Sequence, residues 1–124
     1  MGYEQIKSTD KIKTVPFNAL QPVNTGITST VRDVAMENKI WFGYVLHENG
    51  AAVAWVQVFY RPASEVTLGT TAPDFTITLS AADSVAYDFR RPIELLSGMS
   101  VAGTTTETGS TTAGAAITGQ FFVF

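Results

Sequence analysis

Hydrophobic and polar residues alternate with a period of two along most of this chain, in runs too short for anything but β-strands. The clearest run is residues 39–48, KIWFGYVLHE. Strict alternation places Ile40, Phe42, Tyr44 and Leu46 on one face and Trp41, Val45 and His47 on the other. Residues 51–61 form the next run, with Val53, Trp55, Gln57 and Phe59 on one side and Ala54, Val56, Val58 and Tyr60 on the other. Neither side is polar enough to lie in water, which predicts a mid-sheet strand whose second face meets another sheet, a loop or a neighbouring subunit. Asn49-Gly50 stands between the two runs, and this dipeptide predicts a two-residue type I′ hairpin joining them as antiparallel neighbours. After Arg61-Pro62 and a loop closed by Pro73, residues 74–80 alternate cleanly, with Phe75, Ile77 and Leu79 inward and Thr76 and Thr78 outward. The stretch 51–79 is therefore the expected centre of the core.

The flanks follow the same logic. Residues 26–36 predict a strand that continues or closes into one helical turn, since VRDVAMEN is too short for a stable isolated helix. Val85, Tyr87 and Phe89 alternate again until Arg90-Arg91-Pro92 breaks the run. A strand at 99–104, a Thr/Gly-rich loop at 103–114 expected to be mobile, and a last strand at 115–124 complete the chain. Before all of these, residues 1–24 carry isolated apolar positions interrupted by Pro16 and Pro22, which predicts an extended N-terminal arm. The expected architecture is all-β: a jelly-roll-like β-sandwich of seven to eight antiparallel strands over 25–124, preceded by that arm.

Composition narrows the function. Of 124 residues 45% are hydrophobic and 15% charged, a balance that favours a folded single domain. The formal charge of −3 argues against a sequence-independent nucleic-acid partner. No cysteine is present, so disulfides and thiolate chemistry drop out, and the single His47 offers neither a metal site nor a base beside an obvious serine nucleophile. Asp74, Asp83 and Asp88 lie close enough in sequence to raise a carboxylate pair or a calcium site, but each flanks a turn or strand end, where Asp ordinarily satisfies backbone donors. Trp41, Trp55, Tyr44 and Tyr60 raise a sugar platform, against which stands their alternation on buried strands. No stretch approaches a membrane span and the start lacks a secretory h-region, so a soluble, unprocessed product without a membrane partner is expected. No catalytic residue, cofactor or metal ligand is expected, and neither is enzymatic activity.

From residue 50 to 124 the chain resembles small structural proteins of tailed bacteriophages, the head decoration or cement proteins. The matching features are an aromatic strand ending in Tyr60-Arg61, a Gly69-Thr70 loop closed by Pro73, and the alternating strand 75–79. They continue with the strand 85–89, an apolar segment ending Leu96-Ser97-Gly98-Met99, a Thr/Gly-rich loop and a final strand. The resemblance implies a virion protein, made in the host cytoplasm, that assembles as a homotrimer on the outer capsid surface and clamps neighbouring copies of the major capsid protein. The arm could reach across a capsomer boundary, with Tyr3, Ile6, Lys7, Lys11 and Lys13 as candidate capsid contacts. The alternative is a phage tail or baseplate protein, or a host-adhesion module that binds carbohydrate through its aromatics.

Overall fold

A computed structural model describes the backbone of residues 20–113 and 117–124, and side chains from Ile27 onward. Among the described residues, eight strands form two four-stranded antiparallel sheets packed face to face. One sheet has the order β1 (Leu20–Ile27), β8 (Ile117–Val123), β3 (Lys39–Glu48), β6 (Ser84–Leu95). The other has the order β2 (Arg32–Ala35), β7 (Met99–Thr104), β4 (Ala54–Phe59), β5 (Phe75–Leu79). The pairing is nested: β1 with β8, β2 with β7, β3 with β6 and β4 with β5, with alternate pairs assigned to alternate sheets. The all-β sandwich read from the sequence is the observed fold. β1 already includes residues 20–24, which the sequence assigns to the arm, and holds Pro22 on an edge strand, where proline is tolerated.

The core lies between the sheets. Val56, Val58 and Ala54 of β4, Ile77 and Leu79 of β5, and Met99 and Val101 of β7 face Trp41, Tyr44 and Leu46 of β3 and Phe121 and Val123 of β8. Burying each such side chain contributes about 1.5–3 kcal/mol, so the inner faces of these five strands carry most of the stabilisation. β4 and β5 do pair antiparallel, with Val56 opposite Ile77.

Two local expectations fail. Asn49-Gly50 makes no hairpin: β4 pairs with β5 and β7, and both edges of β3 are taken by β6 and β8. Neither residue of the dipeptide has the positive φ that a type I′ turn demands. Residues 49–53 instead cross from one sheet to the other, pinned by Gly50 N–H donating to Glu48 Oε1 at 2.9 Å and Ala82 N–H donating to Gly50 O at 3.0 Å. Turn propensity is local, and two full ladders on β3 outweigh it.

The face assignment of β3 also changes. Trp41 pairs with Val123 and Gly43 with Phe122, so two steps along β3 match one along β8. This bulge brings Trp41 onto the same inner face as Tyr44 and Leu46, against strict alternation. Gly43 allows it: a Cβ there would sit 2.2 Å from the Tyr87 carbonyl oxygen. Opposite, β6 bulges further, since Asp88 to Ile93 spans only Gly43 to Trp41. Arg90-Arg91-Pro92 thus interrupts the ladder without ending the strand, as a proline at a sheet edge can.

Candidate interaction surface

The two outer faces of the sandwich differ. On the β2-β7-β4-β5 sheet the outer residues Gln57, Phe59, Ser100, Ala102 and Thr104 are fully buried, although they point away from the core. Two loops of the same chain cover them. Residues 60–74, which include a single 3-10 turn at Ala63–Glu65, lie over one half. There Ser100 Oγ donates to Arg61 O at 2.8 Å, and Ala63 N–H donates to Asp33 Oδ1 at 2.7 Å. The Thr/Gly-rich segment 105–113 lies over the other half, and the two meet where Gly69 approaches the Ser110 side chain.

The Thr/Gly-rich segment was expected to be a mobile loop, yet it is tied down along its length. Gln57 Nε2 donates to Thr104 Oγ1 and to Gly109 O, both at 2.9 Å. Thr76 Oγ1 donates to Glu107 at 3.1 Å, Thr105 N–H to Thr111 O at 3.0 Å, and Ser29 and Thr112 hydroxyls bond each other. The small side chains of this segment let its backbone lie flat on the sheet. Gln57 Oε1 is the one buried side-chain polar atom without a partner among the described residues. Both faces of β4 are therefore covered from within the chain, one by the opposite sheet and the other by these loops.

The β1-β8-β3-β6 sheet has no such cover over its described outer residues. Val45 is 41% exposed and sits between Ala86 of β6 and Gln120 of β8. His47, Ser84 and Thr118 continue the row, with His47 Nδ1 and Ser84 Oγ 2.7 Å apart. A Ser–His contact alone is not a nucleophile site: among the described residues the imidazole is bonded only to Ser84, which starts an edge strand. Its bond is that of cross-strand neighbours.

Other sequence candidates are dispersed. Asp74 lies at the start of β5, with Oδ2 accepting the Tyr60 N–H at 2.8 Å, and Asp83 precedes β6, with Oδ1 accepting the Ser84 N–H at 2.9 Å. The length of β5 separates them, so they form no acid pair, and among the described residues no group of three His, Cys, Asp or Glu could hold a metal. The sugar platform does not assemble. Trp41 is fully buried as the hub of an interior aromatic cluster, 4.6 Å from Phe89 and 5.5 Å from Phe75, with Nε1 donating to Gly43 O at 2.7 Å. Trp55 is half-buried on the outer face of the opposite sheet. Burial pushes the Tyr44 phenol above its ordinary value, with Tyr87 adding to the shift, and burial and then Asp74 do the same for Tyr60. Tyr3, Ile6, Lys7, Lys11 and Lys13 lie outside the described residues.

The sequence reading did not single out Tyr87, which is 52% exposed and stacked on Tyr44 at 6.0 Å; the 85–89 run showed only that Val85, Tyr87 and Phe89 share a face. No protein-family model matches this chain, and no curated protein or solved structure matches it either. Among the described residues no helix is long and apolar enough to cross a membrane.

Proposed function

We propose that this chain is a virion structural protein, a decoration protein of a phage head, that acts by binding and not by catalysis. The observation that carries the reading is the asymmetry of the sandwich: one outer face is sealed by the chain's own loops, while the other leaves Val45 exposed in a mixed row with Ala86, Gln120, His47, Ser84 and Thr118. A sheet face of that kind suits broad, shallow contact with a protein shell. We read the nested strand order as jelly-roll wrapping, in keeping with the likeness of residues 50–124 to decoration proteins. In this reading the open face lies on the major capsid protein and the arm, through Tyr3, Ile6, Lys7, Lys11 and Lys13, reaches a neighbouring subunit. Occupancy then raises the cost of capsid rupture by mass action. Homotrimers, an outer-surface location and synthesis in the host cytoplasm belong to the same proposal, which involves neither nucleic acid nor membrane.

The carbohydrate-binding alternative loses Trp41 and Tyr44, which are buried, and of its four candidate rings keeps the half-buried Trp55 and Tyr60. A phage tail or baseplate position remains the competing assignment. Separating heads from tails of the encoding phage and probing each with antibody distinguishes them: signal on intact heads supports the proposal, and signal confined to tails overturns it.

A further inference from the structure

Asn49-Gly50 is the strongest turn motif in the sequence, and the fold makes no type I′ turn of it. The dipeptide lies in the crossing between the end of β3 at Glu48 and the start of β4 at Ala54, with Asn49 exposed and Gly50 half-buried. Three contacts hold it. Glu48, only 1% exposed, turns its carboxylate so that Oε1 accepts the Gly50 N–H at 2.9 Å. Asn49 Nδ2 donates to Thr118 Oγ1 at 3.3 Å, and Gly50 O accepts the Ala82 N–H at 3.0 Å.

An asparagine followed by glycine carries an electrophile and a nucleophile on adjacent residues. A bond from the Gly50 nitrogen to Asn49 Cγ closes a five-membered ring, so the two groups react without having to meet from solution. Glycine leaves that nitrogen the least hindered approach, having no Cβ and the widest choice of backbone angles. The obstacle is the proton, because an amide nitrogen is a poor nucleophile while it keeps its N–H. Here a carboxylate oxygen already sits on that proton at 2.9 Å, within the reach required of a general base. Asn38 offers an internal comparison: it is also exposed, but the next residue is Lys39, the first of β3, whose Cβ crowds the nitrogen.

We propose that Asn49 is a self-modification site at which Glu48 acts as the base. Glu48 takes the Gly50 amide proton as Gly50 N bonds to Asn49 Cγ, and the Cγ–Nδ2 bond breaks, with Nδ2 leaving as ammonia on the proton that Glu48 returns. The ring that remains is a succinimide. One water then opens it at either carbonyl, giving aspartate or isoaspartate; each ammonia released is matched by one water consumed, and nothing is oxidised or reduced. The product places a new negative charge beside Thr118, at the end of the row that Thr118 shares with His47 and Ser84 on the open face. The isoaspartate form also lengthens the backbone between β3 and β4 by one atom. This is a single event per chain and stands apart from the capsid assignment, since it needs only the chain itself and water.

The test ages the purified full-length chain in near-neutral buffer at physiological temperature and reads amide-to-acid conversion at each asparagine by peptide mapping and mass spectrometry. Chromatography separates the aspartate and isoaspartate products. Asn49 should convert severalfold faster than Asn38. Glu48→Gln keeps an oxygen acceptor of the same size but a far weaker base, and its folding is checked by circular dichroism. In the folded state it should convert Asn49 at least about tenfold more slowly, a conservative share of what a positioned base supplies. In guanidinium chloride, where Glu48 has lost its position, the two chains should convert at equal rates, both slower than the folded unsubstituted protein. A folded Glu48→Gln chain that converts Asn49 as fast or faster would show that the carboxylate clamps the amide instead of activating it, and would overturn the proposal. Should that variant not fold, the unsubstituted chain decides alone, since slower conversion when folded than when denatured would also overturn it, as would conversion at Asn49 no faster than at Asn38.

Discussion

Gly43 and Gly119 show how much of this fold depends on single missing side chains. A Cβ on Gly43 would meet the Tyr87 carbonyl at 2.2 Å, and one on Gly119, which also holds φ +151°, would meet the Val45 carbonyl at 2.0 Å. Both obstacles are backbone of a neighbouring strand, which cannot swing aside as a side chain can. Gly43→Ala is expected to cost at least about 2–3 kcal/mol, at the upper end for overpacking, read from the midpoint of urea unfolding; a loss under 0.5 kcal/mol, roughly the scale of a surface substitution, would show that the bulge does not need glycine. The tyrosines set an alkaline limit. Tyr44 and Tyr60 are raised above the ordinary phenol value of about 10, so the native state keeps protons that the unfolded chain releases. Their contribution is complete below that value and is lost as pH climbs through the raised native values. Unfolding free energy should stay level to about pH 10 and fall above it, and Tyr44→Phe with Tyr60→Phe should flatten the fall; an unchanged slope in the double variant would contradict this. At this scale the sequence was partly legible. A glycine inside WFGYV is the mark of a bulge, but only the register reveals that it moves Trp41 to the core face.

Strands were more readable than their partners. The alternating runs at 39–48, 75–79 and 85–89 all become strands, because period-two patterning reflects burial on one side of a pleat. Pairing is decided by whole faces, so Asn49-Gly50 could not hold β4 beside β3. The segment 105–113 was hardest to read, because its threonines and glycines look like an open loop until Gln57 and Thr76 are placed beneath them. Gln57 is the tie. Gln57→Leu removes both bonds from Nε2 and also the unpartnered Oε1, so global stability should change by less than about 1 kcal/mol. The segment itself should come loose, and limited proteolysis within 105–112 should run at least severalfold faster than in the unsubstituted protein. Equal cleavage rates would mean that the hydroxyl contacts hold the segment without Gln57.

The whole molecule is a sandwich finished on one face and open on the other. The sealed face removes one reason for expecting a second subunit against β4, because Phe59 and Gln57 are already covered by the chain's own loops. In the proposed reading the partner surface is the opposite sheet, where Val45 is exposed between Ala86 and Gln120. An all-β class follows from the sequence pattern, whereas the asymmetry does not, since it arises from where two polar loops happen to fold back. The direct test of the capsid assignment is the rupture temperature of heads with and without this protein. Heads stripped of it should burst at lower temperature and recover when the purified full-length chain is added back, and should recover less with a chain in which Val45→Glu charges the open face. Stripped and decorated heads that rupture at the same temperature would contradict the account.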